Sequence, residues 1–347
     1  MLADATFPVH NCLHTCRTIL PCLKTIGAVT ANFKPNILHA FDTHALFFAR
    51  LVAHQTHNPL FYTKCGGPNP RVFHPRAPNI IAFSLENQAY FKNHRKFRSS
   101  QILLLPNRVH PHVHQDANRI ASLRAMLDPA RSVFLRIARL TPLHERSIGQ
   151  SIRLVNQLSA DGYAVQLAIV GHVYDSIVLQ RLRVHAGSHV HFFTDAAYTK
   201  NASELIDAGD FVIGSGRGFM EAAARSKVLL VSQADCRFPA LITEDTFQPA
   251  FACNLSGRAR LTSDESANYK AIVAVVTNPA TRRQYEVFAR RLFDRYFNIE
   301  TVLPTYHTLY EQAVWRRDPH LLDLLAQGLF LLRAHLRIHP ENGSANE

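Results

Sequence analysis

Residues 210–232 read DFVIGSGRGFMEAAARSKVLLVS, and the order of residue types within them decides the fold. A short apolar run (211–213) ends in three closely spaced glycines, Gly214, Gly216 and Gly218. An alanine-rich segment opened by Glu221 follows, and then a second apolar run, VLLVS. Short, wholly apolar runs suit strands buried on both faces, and the alanine-rich segment between them suits a helix. Two readings stand for the turn. It is a plain strand-to-helix connection, with Glu221 a carboxylate favoured near a helix N-terminus. Or it is a ligand site, where glycines let backbone approach closely and the free N–H groups of the helix receive phosphate.

The same alternation extends outward in both directions. Toward the N-terminus, NILHAF (36–41), PLFYTK (59–64), NIIAFS (79–84) and QILLLPN (101–107) read as strands. Helical patterns in THALFFARLVAHQ and LENQAYFKNH separate them, and CGGPNP reads as a loop. After a polar interlude, RVHPHVHQDANR, the alternation restarts with strands in SVFLRIARL, VQLAIVG, VHFFT, FVIGS and VLLVS. The intervening helices lie in SIGQSIRLVNQLSADG, SIVLQRLRVHAG and AYTKNASELIDAG, and the tail beyond NPATRRQYEVF is helical by its apolar spacing. The expected fold is α/β, with two Rossmann-like doubly wound domains facing across a cleft. The expected boundaries are 1–112 for the first domain, 113–130 for a linker, 131–290 for the second domain, and 291–347 for helices returning to the first domain. Ligands of such sheets bind at the carboxyl ends of the strands, where CGGPNP, RLTPLHERS, VGHVYDS and GSGRG all fall.

Composition narrows the function. A chain of 347 residues with 47% hydrophobic content accommodates about two globular domains. It has no apolar run long enough to span a bilayer, and its first residues lack the basic and apolar regions of a signal peptide, so a cytoplasmic location is expected. The six cysteines form no CxxC pair, and reduced thiols are expected. The formal charge of +12 attracts polyanions. No block of Lys/Arg and no aromatic-interleaved basic motif accompanies it, so nucleic acid is not expected as a partner. An anionic membrane surface or a phosphorylated ligand fits better. His110, His112 and His114 alternate as strand ligands would, but Pro111 interrupts them and no carboxylate or cysteine completes a set. A solvated linker is the expectation there, and no metal.

Arg139 and Arg146 flank one strand-to-helix loop, where two guanidiniums suit a diphosphate or are simply solvated. Glu221 can accept both hydroxyls of a ribose diol. Clamp, diol acceptor and glycines together describe a nucleoside diphosphate. Lys64 beside Gly66 and Gly67, at a strand end, is hard to explain by packing.

The second unit resembles the donor-binding half of GT-B glycosyltransferases, family 4 in particular, through IARLTPLHERSI, AIVG and FMEAAARSKVLLV. KPNILHAFD, the phrase NPLFYTKCGGPNP…NIIAFSLEN…LLLPNRV and FACNLSGR resemble its capsule and lipopolysaccharide branch. The resemblance covers roughly residues 33 to 310. It implies transfer of a sugar, with retention, from a nucleotide-diphospho-sugar to a surface-polysaccharide, lipopolysaccharide or lipid-linked acceptor. The donor is a co-substrate, and no enzyme-bound metal or other cofactor is implied. Carried onto this chain, Arg139, Arg146, Gly216, Arg217 and Gly218 would hold the diphosphate and Glu221 the ribose. His39, Asp42 and Lys64 would form the catalytic side, with Gly66 and Gly67 lining the cleft loop. The implied location is cytoplasmic or peripheral at the inner membrane face.

Two features depart from that pattern. Many members carry two glutamates separated by seven residues, whereas here the earlier one would fall at Ile213, or near Arg217 if the loop is shortened, and only Glu221 is present. The chain also opens on MLADATFPVHNCLHTCRTILPCLKTIG, which offers a helix in place of the family's first strand and glycine-rich loop, so the first domain is expected to be shortened. These departures keep a second reading open, a degenerate homologue that binds nucleotide-sugar or a partner without transfer. A sugar-nucleotide epimerase on the same fold is a further rival, although no acidic cluster suited to its proton transfers is evident.

Overall fold

Wholly apolar strands need cover on both faces, and each of the two runs in this chain forms a parallel sheet with helices packed against it. The structure, a computed structural model, describes residues 19–70, 73–316 and 321–338. The opening part of the expected N-terminal helix, residues 1–18, lies outside the described residues; its remainder is helix α1 (Ile19–Phe33).

The first sheet contains β1 (Leu38–Ala40), β2 (Leu60–Lys64), β3 (Asn79–Ala82) and β4 (Gln101–Leu104) in the order 1-2-3-4, all parallel. Helix α2 (Thr43–Thr56) follows β1 and α3 (Leu85–Asn93) follows β3. Both start where the sequence supplies a capping side chain: Asp42 accepts from Ala45 N at 2.7 Å and Ser84 from Asn87 N at 3.1 Å. Leu46, Leu60, Tyr62, Ile80, Phe91 and Phe97 fill the core between sheet and helices.

Helix α4 (Ala117–Ala125) leads into the second sheet. Its parallel strands are β5 (Ser132–Ile137), β6 (Val165–Val170), β7 (Val190–Phe193), β8 (Phe211–Gly214) and β9 (Val228–Val231), with a short antiparallel edge, β10 (Ala240–Leu241). Between them run α5 (Pro142–Ala160), α6 (Ser176–Val184), a single turn α7 (Ala196–Thr199) and α8 (Gly216–Ala224). The strand order 10-9-8-5-6-7 is that of a doubly wound dinucleotide-binding sheet, with its switch point between β5 and β8. Apolar clusters cover both faces, one around Leu135, Phe219 and Phe297 and the other around Phe134, Ile152 and Ile169.

One expected helix is broken. The segment 197–209 divides into α7 and a 3₁₀ stretch (Ala202–Ala208), because Asn201 between them takes a left-handed conformation at φ 50°.

Helices α9 (Glu244–Ala252), α10 (Glu265–Thr277), α11 (Pro279–Leu292), α12 (Leu303–Glu311) and α13 (Leu321–Ile338) complete the described chain. The chain passes between the sheets twice, and the two crossings lie side by side. Val109 N donates to Phe297 O at 2.8 Å and Ile299 N to Val109 O at 3.0 Å. Beyond the second crossing, Asp323 of α13 pairs with Arg50 of α2 at 3.0 Å and with Lys96 at 2.9 Å. Among the described cysteines one differs from the expectation of reduced thiols: Cys22, buried in α1, is disulfide-bonded, while Cys65, Cys236 and Cys253 are free. Among the described residues no helix is long and apolar enough to cross a membrane.

Candidate functional site

At the carboxyl end of the second sheet, two helices present uncapped N-termini. Thr141 precedes α5 and Ser215 precedes α8, and neither side chain caps its helix. Their first N–H groups and the positive ends of their dipoles therefore face the switch-point crevice between β5 and β8. Gly216 makes the entry to α8 possible, since it sits at φ 50° with open space around its Cα hydrogen. Gly218 is likewise open on the side a Cβ would occupy.

Arg139 stands exposed at the end of β5. Arg146, on the first turns of α5, is held by carbonyls, donating to Gly257 O at 2.6 Å and Gln233 O at 3.4 Å. Its guanidinium is thus oriented by the two loops that close the crevice. His144 lies close by, its pKa pushed down by burial and by the positive charges of Arg136 and Arg139.

Glu221 is 7% exposed and points from α8 into a cavity of about 500 Å³. Arg217, one turn earlier, donates from Nε to Glu221 Oε1 at 2.7 Å. The same cavity is lined by His110, His112 and His114 together with Asn201 and Ser203. The linker histidines are solvent-exposed, as the sequence suggests, yet they border the space that Glu221 faces, which the sequence did not reveal. Among the described residues no group of three or more His, Cys, Asp and Glu side chains is arranged to hold a metal.

Across the cleft, the ends of β1 and β2 open on a cavity of about 520 Å³ whose wall includes Asp42, Lys64, Gly66, Tyr62, Phe73 and His74. Phe330 of α13 closes one side. Gly66 and Gly67 have φ values of 91° and 79°, and this left-handed pair curls the loop so that Gly66 O accepts from Lys64 Nζ. Burial, and secondarily the charge of Arg258, push the Lys64 pKa down. Asp42 spends one carboxylate oxygen on capping α2. His39 does not border this cavity. Its Nδ1 meets the Tyr310 hydroxyl and its Nε2 the Thr63 hydroxyl, both at 2.7 Å, and burial pushes its pKa down to about 4.

The two halves meet at the loop 253–258. A Cβ on Gly66 would lie 2.6 Å from Asn254 Nδ2, Gly216 N donates to Leu255 O at 3.3 Å, and Arg258 reaches Glu86 at 2.7 Å. One loop therefore touches the Lys64 turn, the glycine turn and α3. Sequence reasoning singled out FACNLSGR only by resemblance, and Glu86, His74, His144, Arg136 and Tyr310 not at all. The signal that existed for Arg136 was a charged residue inside an otherwise apolar strand.

No protein-family model and no curated protein sequence matches this chain. Solved structures do. Anabaena HepE in complex with UDP and glucose superposes with a TM-score of 0.63 at 15% identity, covering 86% of this chain and 83% of that one. Sucrose-phosphate synthase from Thermosynechococcus elongatus gives 0.56 at 17% identity, covering 87% and 80%. UDP-GlcNAc 2-epimerase from Neisseria meningitidis, bound to UDP-GlcNAc, gives 0.52 at 14%, covering 86% and 84%. At such identities the likeness concerns the fold, and the fold is GT-B: two parallel-sheet domains of the kind found in glycosyltransferases.

Proposed function

We propose that this chain is a glycosyltransferase of family 4 type that moves a hexosyl group from a nucleotide-diphospho-sugar to a polysaccharide, lipopolysaccharide or lipid-linked acceptor, with retention. The observation that carries the reading is the pair of uncapped helix N-termini, of α5 and α8, that follow the two strands on either side of the switch point; we assign Arg139 and Arg146 of the β5–α5 connection and Glu221 of α8 to the same donor site. In this reading the diphosphate lies over Gly216–Gly218 between Arg139 and Arg146, which stabilise the charge that develops as the glycosidic C–O bond breaks. Glu221 exchanges its Arg217 contact for the ribose diol, and the base extends into the cavity bordered by the linker histidines. Lys64, Asp42 and the Gly66–Gly67 turn face the donor sugar. The domain division at 112, 130 and 290 belongs to the same proposal.

The cavity walled in part by Tyr62, Phe73 and Phe330 supports an acceptor on this side, since its apolar lining suits sugar rings and lipid. Leu322, Leu325 and Leu329 on α13 are exposed along one face, which with the basic charge supports peripheral attachment to an anionic membrane.

Titration with UDP, GDP, ADP and CMP by calorimetry tests the donor site, with Arg139→Ala and Glu221→Ala as controls. Binding of one nucleotide that both substitutions weaken supports the reading; binding of none overturns it. A nucleotide-binding chain without transfer is the second reading, favoured by Ile213 standing where a second acidic residue would be expected. Donor hydrolysis or transfer that Arg146→Ala abolishes decides against it. The likeness to the epimerase keeps sugar-nucleotide isomerisation in view, and an assay for an epimerised UDP-sugar separates the two chemistries.

A further inference from the structure

Among the described residues Arg136 is the largest fully buried side chain, only 2% exposed, on a central strand of the second sheet. Strand β5 pairs with β8 only through Phe134 with Phe211 and Leu135 with Val212. Beyond that point the two strands part, as they must at a switch point, and the Arg136 guanidinium occupies the gap. Nη1 donates to Ile213 O at 2.7 Å and Nη2 to Ser147 Oγ at 3.0 Å, while buried Nε meets no acceptor. Ser147 in turn donates to His144 O at 2.8 Å, so the guanidinium braces the last residue before the glycine turn against the first turns of α5.

Among the described residues no carboxylate pairs with it. Arg139, which with Arg136 lowers the pKa of His144, is also positive. Burial pushes the Arg136 pKa down to about 10, which leaves it charged at neutral pH. A buried charge without a partner is costly, and a protein retains one where something else supplies the compensation.

We infer that Arg136 is a positioning residue whose counter-anion arrives with the ligand: its guanidinium forms the charged floor of the crevice, and a diphosphate bound above the glycine turn completes the pair. The inference rests on the nucleotide-diphosphate reading above and adds to it a group that never touches the phosphate. The guanidinium acts through the low-dielectric interior, where its field is weakly screened, and through Ile213 O and Ser147, which aim the two helix N-termini at the ligand.

The test compares UDP, GDP and ADP, each against its own nucleoside, on wild type, R136Q and R136K by calorimetry. R136Q retains an amide donor for Ile213 O or Ser147 but no charge; R136K retains the charge. The expected result is about a tenfold or greater loss of diphosphate affinity in R136Q, nucleoside affinity within about twofold, and R136K within about threefold of wild type. Unchanged diphosphate affinity in R136Q, or equal losses for nucleotide and nucleoside, overturns this inference alone. Wild type that binds no nucleoside diphosphate overturns the donor reading and this inference with it. If R136Q does not fold, the wild type carries the comparison. From about 0.1 M to about 1 M NaCl the Debye length falls from ~10 Å to ~3 Å, screening exposed arginines but not a buried one. A diphosphate advantage over nucleoside that survives the salt supports the inference, and one that vanishes overturns it.

Discussion

Arg258, on the loop after α9, reaches Glu86 in α3 with both Nε and Nη2, the shorter contact being 2.7 Å, and so ties the second sheet's domain to the first. The pair is half-buried, and the same Arg258 donates to Cys253 O at 3.1 Å, which anchors it in its own loop. A double-mutant cycle on Glu86→Gln and Arg258→Gln is expected to give a coupling of about 1 kcal/mol in stability, the upper range for a partly exposed pair.

The same pair tunes Lys64. Arg258 lowers its pKa and Glu86 raises it, both acting after burial, the main lowering influence. A lysine loses its charge as pH rises through its pKa. Glu86→Gln should therefore move the alkaline limb of turnover to lower pH, and Arg258→Gln should move it to higher pH. In the absence of turnover, NMR titration of the lysine ammonium reads the same shifts. Identical limbs in both variants would disconnect Lys64 from the interdomain pair.

Arg217 occupies the Glu221 carboxylate, so a ribose diol bound there as proposed would have to compete with it. Arg217→Ala is expected to leave nucleotide affinity equal or improved through Glu221, unless its own contact with phosphate is the larger effect, in which case affinity falls for nucleotide but not for nucleoside. Glu221→Ala should cost about 1–2 kcal/mol for UDP and erase the difference between UDP and its 2′-deoxy analogue. A deoxy penalty that persists in Glu221→Ala places the diol elsewhere.

The two flanking glycines separate packing from ligand approach. A Cβ on Gly214 would come within 2.9 Å of the Phe219 backbone, so Gly214→Ala should lower stability by about 1–3 kcal/mol in chemical denaturation. Gly218 lies inside α8 with nothing within 4 Å, so Gly218→Ala should stabilise the free protein by up to about 1 kcal/mol. Weakened nucleotide binding in that more stable protein would mark the position as one that ligand approaches.

Two histidines set an acid limit on stability. Burial holds His39 and His74 neutral, with pKa values pushed down to about 4; the neighbouring Lys64 and Lys96 add to the effect at His74. The unfolded chain takes up these protons near pH 6.5 and the folded one only near 4. Their stabilisation is therefore complete above pH 6.5, lost as pH falls from 6.5 to 4, and level below that, at up to about 3 kcal/mol each. His74→Gln should flatten this limb in urea denaturation followed across pH. An unaltered limb would mean that His74 titrates alike in both states.

Much of the architecture was legible in residue order. The short apolar runs at 60–64, 79–82, 132–137 and 165–170 have no alternative to burial on both faces, and burial of that kind implies parallel strands with helical crossovers. Glycines and basic residues after these strands marked the carboxyl ends of the sheets, the side on which such sheets bind ligands. The helix expected across 197–209 failed for a local reason, the left-handed Asn201, since asparagine tolerates that conformation as readily as it tolerates a helix interior.

What the sequence by itself determined is the set of elements and the chemistry at their ends, since periodicity and turn residues act over a few positions. The partners of those end groups were decided by tertiary structure. Glu86 and Arg258 are 172 residues apart, His39 and Tyr310 271, and Arg136 meets Ile213 across 77. Such contacts depend on strand order and on the way the chain crosses twice between the sheets, which no local pattern encodes. Arg136 shows the reason most plainly. In the sequence it is one charged residue in an apolar strand, and only the parting of β5 from β8 makes it the buried charge beneath the crevice.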